Sequence, residues 1–298
     1  MNKKSTRIST IVIIVLVALL AGSWTYIWIR DRKTPEKPDN DPTEVIEEPV
    51  VDPELLKLKW LWEQNKQINE DYVGELFFDS DLINVSFVQA KDVYKPNGEL
   101  YEFYTQGGSV VKDPTGYTGN DVYIWKYWKT GAYDYNDNGG SVFLDYRNEL
   151  SDQNLIIYGH HFSVWNDETR TKAFTPLERL LNEEEYEANR YATMVLGNEI
   201  RKYELVCVYE FDATVDRFYD DFQYWRTEYN YDDYLGYYDD DYYQKYINAI
   251  SSQQLYPTAA KLTTADKTLT LQTCISGHTG ELFEIVVLKQ IEVISLGG

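Results

Sequence analysis

The chain has 298 residues, of which 43% are hydrophobic and 26% charged, a composition typical of a folded globular protein and not of a disordered one. Its 28 basic and 49 acidic residues give a formal net charge of −21. This charge argues against nucleic-acid binding, which requires a basic surface to neutralise phosphates. Two cysteines and three histidines cannot supply a disulfide framework or a zinc site built from four thiolates.

The N-terminal segment 8–29 is apolar and free of charged residues over 22 positions. A helix of that length spans roughly 33 Å, enough to cross the hydrocarbon layer of a bilayer. Basic residues flank both ends, so the charge distribution does not fix its orientation. A cleaved signal peptide is the alternative, but no Ala-x-Ala site follows the apolar run. We therefore predict a cytoplasmic tip and a retained single-pass anchor over residues 1–29.

Residues 30–54 form a predicted linker. Five of the nine prolines fall here among Asp, Glu and Lys, with too little apolar surface for a core. Chain of this composition is expected to be extended and solvated, and to act as a spacer that holds the following domain off the membrane. The remaining residues, 55–298, are predicted to form one domain.

From Leu55 onwards the pattern is that of a mostly β domain. Apolar residues at helical spacing predict an amphipathic helix over 54–70, and two later helices are predicted over 176–189 and 239–251. Runs of β-branched and aromatic residues, most of them separated by turn signals, predict strands over 73–78, 83–88, 122–128, 142–146, 155–158, 192–196, 203–211, 268–274 and 285–293. About eight strands with few helices indicate a mixed, mostly β barrel or sandwich.

Residues 227–246 are an acidic stretch rich in tyrosine. We interpret it as a solvated surface loop that runs into a helix. A binding surface for a basic or extended peptide is the main alternative, because tyrosine offers rigid contact area at a low cost in entropy. Calcium binding is less well supported, since the spaced ligands of an EF-hand are missing.

Few side chains in the sequence are suited to nucleophilic chemistry. Cys274 ends a predicted strand before a glycine-containing loop, where a thiol would be accessible, whereas Cys207 lies inside a strand and is expected to be buried and inert. His160 and His161 follow another strand that ends at Gly159. If the two strand ends meet, a histidine can activate the thiol. On spacing alone, a core cysteine and surface histidines remain the alternative.

Residues 270–274, Thr-Leu-Gln-Thr-Cys, match the Thr-Leu-x-Thr-Cys signature around the nucleophile of sortases, the membrane-anchored cysteine transpeptidases of Gram-positive bacteria. Residues 154–160, Asn-Leu-Ile-Ile-Tyr-Gly-His, resemble the strand that carries their catalytic histidine, and residues 140–148 resemble the preceding segment of class B enzymes. The resemblance covers about residues 55–293. It implies a sortase-like mixed β-barrel of about eight strands, with an N-terminal helix and a helix in the loop before the last strands.

The resemblance also implies a reaction. The Cys274 thiolate would attack the carbonyl of a C-terminal sorting-signal peptide, and His160 would protonate the leaving amine. An amine from a cell-wall precursor or a pilin lysine would then resolve the thioacyl intermediate, with no metal or organic cofactor. The domain would lie outside the cytoplasm on its single-pass membrane anchor. The residues expected to bind the peptide are Thr273, Leu271, Tyr158 and His161, the last facing the groove rim or solvent.

One family feature is missing from the sequence. Sortases carry an arginine on the strand after the cysteine, but Glu284 stands at the matching position and no arginine follows Arg226. Loss of such an oxyanion donor slows a reaction by about 10²–10³, and a carboxylate beside Cys274 would oppose both the thiolate and the oxyanion. The candidate cations to replace the arginine are Arg217, Arg226, Lys267 and Lys289. The alternatives are a catalytically weak or inactive sortase-fold binding or assembly factor, and a cysteine hydrolase.

Overall fold

The computed structural model describes residues 53–91, 105–106, 109–110, 119–124, 126–131, 140–162, 171–212, 240–275 and 282–296. The predicted anchor and most of the predicted linker lie outside these residues. Within the described part of the chain, no helix combines the length and the apolar character needed to span a bilayer.

The described chain begins with helix α1, Pro53–Ile68, and contains two further α-helices, α2 (Gly119–Tyr123) and α3 (Asp240–Gln253). Three short 3-10 helices follow one another at Thr175–Leu181, Glu183–Glu185 and Glu187–Asn189. The strands are β1 (Tyr72–Phe78), β2 (Asn84–Gln89), β3 (Thr105–Gln106), β4 (Ser109–Val110), β5 (Val142–Leu144), β6 (Asn154–Tyr158), β7 (Tyr191–Val195), β8 (Glu199–Asp212), β9 (Thr268–Cys274) and β10 (Leu282–Ser295).

Eight of these strands close into a barrel in the order β1-β2-β5-β6-β9-β10-β8-β7, and β3 pairs with β4 in a separate two-stranded sheet. The pairs β2–β5 and β6–β9 are parallel, and the remaining barrel pairs are antiparallel. Helix α1 precedes the barrel, and α3 lies in the connection before the last two strands. The predicted fold class, a mostly β mixed barrel with these two helices, is confirmed.

Alternation along β9 and β10 sorts their side chains onto two faces. Leu269 and Leu271 of β9 and Val286 of β10 belong to the cluster that fills the barrel interior. Ile285 and Val287, by contrast, face outward and belong to a second cluster under α3. With these two sets as references, alternation assigns each remaining residue of β9 and β10 to the inner or the outer face of the barrel.

The acidic, tyrosine-rich stretch ends in helix α3, as the loop-into-helix interpretation predicts, while residues 227–239 lie outside the described residues. Tyr243 and Tyr246 are almost fully buried in the outer cluster. Their hydroxyls lie 3.0 Å from Thr268 Oγ1 and 3.4 Å from Thr270 Oγ1, respectively. Helix α3 therefore covers the outer face of the first part of β9.

Two predicted elements differ from the structure. The prediction of a strand over 122–128 is wrong, because α2 ends at Tyr123 and the following aromatic residues pack in a cluster with Tyr72. The apolar pattern there reports burial and not an extended chain. The stretch 176–189 is not one helix but three 3-10 segments. Asn182 interrupts it with an extended backbone, and its side chain accepts a hydrogen bond from the Glu184 N–H.

Candidate active site

The ends of two parallel neighbouring strands bring the predicted nucleophile and base together. Tyr158 of β6 lies opposite Gln272 of β9 in a register that holds along the whole of β6. Two residues further along each chain, His160 therefore comes level with Cys274. Alternation places both side chains on the outer face of the barrel, beyond the part that α3 covers.

Gly159, just before His160, is hydrogen-bonded to the neighbouring strand β9. Its N–H donates to the Gln272 carbonyl at 3.2 Å, and its own carbonyl accepts from Thr273 Oγ1 at 2.9 Å. A Cβ atom at Gly159 would come within 2.4 Å of the Phe174 ring, which is fully buried. Close packing against this ring requires glycine here and holds the backbone that carries His160.

The residues after Gly159 are held by the chain just before and within the first 3-10 helix. The Phe174 N–H donates to the His160 carbonyl at 3.1 Å, and the Phe162 N–H donates to Thr175 Oγ1 at 3.0 Å. The imidazole of His160 meets the Phe162 ring edge to face, with centroids 4.9 Å apart. The ammonium of Lys172 lies 6.0 Å from the centroid of the same Phe162 ring. Lys172 and the predicted catalytic histidine therefore lie near the same aromatic ring.

Burial acts on both members of the predicted pair. It lowers the pKa of His160 to about 4, with a smaller contribution from the neighbouring His161. It also raises the pKa of the Cys274 thiol above its ordinary value. At neutral pH the resting site therefore holds a thiol beside a neutral imidazole. Burial disfavours both the thiolate and the imidazolium.

The sequence predicts that His161 faces the groove rim or solvent. This prediction is wrong, because the side chain is only 2% exposed. Its Nε2 lies 2.9 Å from Glu178 Oε2 of the first 3-10 helix. Successive residues of an extended chain point to opposite sides, so His161 is directed away from the face that His160 occupies. The pair with Glu178 satisfies a polar ring that would otherwise be buried without a partner.

Glu284 lies on the strand next to Cys274, but on the other face of the sheet. Its neighbours across the strands are Thr273 and Glu210, whereas the residue opposite Cys274 is Phe283. The Glu284 side chain is 1% exposed, and neither carboxyl oxygen has a hydrogen-bond partner among the described residues.

Burial, and then the charges of Glu178 and Glu210, raise the pKa of Glu284 well above its ordinary value. The uncharged form of the carboxyl is therefore favoured. From its position behind the sheet it can act on Cys274 only through Thr273 and the backbone. A role for Glu284 in place of the family arginine stays a prediction.

Two of the four predicted substitute cations lie at the far end of β9. Lys289 pairs with Thr268, six residues from Cys274, which corresponds to roughly 20 Å of strand. Its ammonium pairs with Asp266 at 3.0 Å, and Lys267 donates to the Ser151 carbonyl at 2.6 Å. Both lysines are too distant to reach the Cys274 thiol, while Arg217 and Arg226 lie outside the described residues.

The residues predicted to bind peptide lie mostly beneath the site. Leu271 is fully buried in the barrel interior, and Thr273 is 2% exposed. Tyr158 is half-buried, and its hydroxyl donates to Asp145 Oδ2 at 2.9 Å. Asp145 in turn accepts two hydrogen bonds from the Arg147 guanidinium, at 2.7 and 2.6 Å. These contacts support the strand ends, and a direct role in substrate binding stays a prediction.

Cys207 has the environment that the sequence predicts. The thiol is 3% exposed beneath α3, and its Sγ donates to the Ile250 carbonyl at 3.3 Å. Burial raises its pKa to about 12. The two cysteines thus differ in solvent exposure, since Cys274 is only partly buried.

Sequence reasoning missed Lys172 and Glu178, which contact the histidine segment from a part of the chain that carries no recognised motif. Lys172 also lines a cavity of about 270 Å³, together with Ser86, Trp128 and Val142. Only the tertiary fold brings these residues to the site. The Asp145–Arg147 pair could have been suspected, because both residues lie in the stretch 140–148 that resembles class B sequences.

No protein-family model matches the sequence. Among curated proteins, the chain is 28% identical over 158 residues to sortase B of Staphylococcus aureus, covering 52% of this chain and 56% of that protein. It is 25% identical over 211 residues to sortase B of Listeria monocytogenes, covering 70% of this chain and 65% of that protein. The match thus spans less than two thirds of the length of either relative.

Solved structures show the same fold. The X-ray structure of Clostridium perfringens sortase B matches with a TM-score of 0.54 and 24% identity, over 77% of this chain and 99% of that one. A Staphylococcus aureus sortase B–substrate complex matches with a TM-score of 0.54 and 20% identity, over 80% of this chain and 86% of that one.

The barrel, with a cysteine and a histidine level at the ends of two parallel strands, is the arrangement that the resemblance to sortases implies. Both curated relatives and both solved structures carry the name sortase B. The chain is accordingly similar to class B sortases in sequence and in fold, and the resemblance seen in its motifs is confirmed.

Proposed function

We propose that this protein is a cysteine transpeptidase that cleaves a C-terminal sorting signal and joins the surface protein or pilin to an amine acceptor. The observation that carries the proposal is the pairing of β6 with β9, which brings His160 level with Cys274 on one outer face. The Staphylococcus aureus relative solved as a substrate complex supports a sorting-signal-like peptide as the partner.

In the first half-reaction, Cys274 transfers its proton to His160 and the thiolate attacks the scissile carbonyl carbon. The tetrahedral intermediate collapses as the C–N bond breaks. His160 then gives its proton to the departing amine, which leaves a thioester on Cys274. Because burial opposes both charged forms, the ion pair is formed at the moment of attack and not in the resting site.

In the second half-reaction, an amine of the acceptor attacks the thioester carbonyl. His160 takes the proton released by this amine, the C–S bond breaks and the thiolate is restored. One amide has been exchanged for another, so the reaction needs no oxidant, metal or external energy. Division into two steps lowers the barrier of a direct amide exchange.

We further propose that Lys172 supplies the positive charge for which the family uses arginine. Its ammonium lies near the Phe162 ring that packs on His160, whereas Lys267 and Lys289 belong to the other end of the barrel. A cation on this side of the histidine stabilises negative charge that develops on the carbonyl oxygen.

The second candidate function is that of a sortase-fold binding or assembly factor with weak or no turnover. It is favoured by the absence of arginine after Arg226 and by a buried, inward-facing Glu284 at the matching position. In either case we propose that segment 8–29 anchors the protein in the cell membrane by a single pass, with the folded domain outside the cytoplasm.

The test uses the purified full-length protein with peptides made from C-terminal sorting signals, with and without hydroxylamine. A transpeptidase gives a hydroxamate product and a thioacyl adduct whose mass maps to Cys274. Cys274→Ala abolishes both, and Cys207→Ala, the matched control, leaves both nearly intact.

Peptide binding without any adduct or cleavage would support the binding factor and contradict the proposed transpeptidase activity. Release of the free acid at the same rate with and without the amine would instead identify a cysteine hydrolase.

A further inference from the structure

Helix α1 has two apolar sides, and only one of them packs on the barrel. On the packed side, the Trp62 indole N–H donates to the Val73 carbonyl at 2.6 Å, and Leu58 joins the cluster around Val195 and Ile200. A Cβ at Gly197 would come within 2.9 Å of the Trp62 ring, which shows how closely this side is seated.

The other side of α1 is exposed. Among the described residues, eight large hydrophobic side chains are exposed, and four of them belong to this one helix. Leu56, Trp60, Leu61 and Ile68 are 51%, 56%, 40% and 51% exposed. At 3.6 residues per turn they lie within an arc of about 140° that excludes Leu58 and Trp62 and also holds Lys57 and Gln64. A concentration of apolar surface of this kind marks an interaction site.

The charge of α1 also differs from that of the rest of the chain. The helix carries three lysines and two glutamates, a net charge of +1, in a chain whose net charge is −21. Lys57 lies on the same side as the exposed apolar residues, where its stem can lie along apolar surface while its ammonium reaches anionic head groups.

We propose that the exposed face of α1, formed by Leu56, Trp60, Leu61 and Ile68, rests on the surface of the lipid bilayer. This inference rests on the proposed membrane anchor and not on the proposed enzymatic activity. The apolar segment 8–29 and α1 are separated by 23 residues, which reach at most about 80 Å when fully extended. Helix α1 is thus the first described element after the anchor and is always within reach of the membrane.

The size of the exposed face favours a bilayer over a second copy of the chain. Four side chains of this size, each about half exposed, present roughly 400 Å² of apolar surface. A stable protein interface needs about 800 Å² from each partner. A bilayer has no such minimum, because each apolar side chain that enters it contributes separately.

The proposal is tested with the full-length protein in vesicles of phosphatidylglycerol and phosphatidylcholine, some with brominated acyl chains that quench nearby tryptophan. Trp24 and Trp28 of the anchor are quenched in every variant and report insertion. If Trp60 also lies in the interface, three of the eight tryptophans are quenched. Trp60→Phe then removes about a third of the quenchable signal. Trp62→Phe, two residues away on the packed side, removes none.

A second variant tests the docking itself. Leu56→Glu should reduce the Trp60 contribution at least severalfold, because a charged side chain opposes entry into the interface. Leu255→Glu, at an exposed leucine outside the helix, should have no effect. Equal quenching in wild type and Trp60→Phe would overturn the proposal. A dimer in detergent that Leu56→Glu dissociates would also overturn it, in favour of a second copy. Peptide cleavage at Cys274 is assayed separately, so failure here leaves the proposed enzyme untouched.

Discussion

The two faces of the sheet formed by β6, β9 and β10 carry opposite kinds of chemistry at the same end of the barrel. On the outer face, Cys274 and His160 are only partly buried and belong to strand ends that α3 leaves uncovered. On the inner face, Thr273, Glu284 and the neighbouring His161 are buried to 6% exposure or less.

The comparison teaches that position on a face decides the role of a residue more than closeness in sequence. His160 and His161 are consecutive, yet one faces the candidate nucleophile and the other pairs with Glu178. In the proposed mechanism the outer residues react, whereas the inner ones hold the strand ends in place. Variants that exchange or remove single side chains on either face can break this distinction or sharpen it.

The largest effect is expected for the two histidines. His160→Ala should lower kcat/KM for peptide cleavage by about 10³, because it removes the proton donor and acceptor from the reacting face. His161→Ala should act mainly through stability, so its kcat/KM below the melting temperature should fall less than tenfold. The check is steady-state cleavage beside a thermal melt of each variant. Comparable losses of activity in both, with both folded, would contradict the separation of the faces.

Substitution of Lys172 tests whether its positive charge stabilises the negative charge that develops during acylation. Lys172→Met should slow acylation by about 10–100-fold, somewhat less than the loss of a donor in direct contact with the oxyanion. Lys267→Met is the matched control and should leave the rate unchanged, since that lysine lies at the other end of β9. Single-turnover acylation rates measure both. Unchanged acylation in Lys172→Met would return the assignment to Arg217 or Arg226.

Glu178 tests the inner face. Glu178→Ala leaves the buried His161 ring without its partner and should reduce the free energy of unfolding by about 1–3 kcal/mol. Glu178→Gln keeps a side-chain acceptor at the same distance and should reduce it by less than about 1 kcal/mol. Denaturant unfolding separates the two values. If both variants are as stable as wild type, the inner pair does not hold the histidine segment.

The smallest effect expected is a gain in stability at Glu284. In the unfolded chain this carboxyl ionises near its ordinary pKa, while in the folded chain it stays protonated to much higher pH. The folded state therefore binds the extra proton, and its stability falls as pH rises from the unfolded to the folded pKa. Glu284→Met should stabilise the protein by about 1–2 kcal/mol at pH 8 and by less at pH 4.

Thermal melts at the two pH values check this prediction. Glu284→Arg provides the opposite case, since it would place a guanidinium in the barrel interior and should lower the melting temperature. A Glu284→Arg variant that is both stable and faster in cleavage would show instead that this position reaches the reacting face.

Much of the fold could be predicted from the sequence, because strand patterns and turn signals are local. The bounds of β9 follow from its own residues, and the helix before the last strands follows from the spacing of its apolar side chains. The failures share one cause. Buried aromatic residues near Tyr123 look like a strand, and the 3-10 segments after Thr175 look like a helix, because only tertiary packing distinguishes these states.

The candidate site could be predicted only in part. Cys274 and His160 are marked by short motifs at strand ends, which are visible along the chain. The face of Glu284 depends on which residue of β10 stands opposite Cys274, and a shift of one residue exchanges the faces. Lys172 and Glu178 meet the histidine segment only after the chain has folded.

The position of β10 in the barrel has a consequence for how the protein is made. This strand, the last described, is inserted between β8 and β9 and pairs with both along its length. The barrel therefore stays open until residues near Ser295 have emerged from the ribosome. Until then β9 pairs with β6 but its other edge is open, on the side where Phe283 later stands opposite Cys274. We expect a partly synthesised chain to hold Cys274 level with His160 on an incomplete barrel, whose open edge is covered only when the final strand enters.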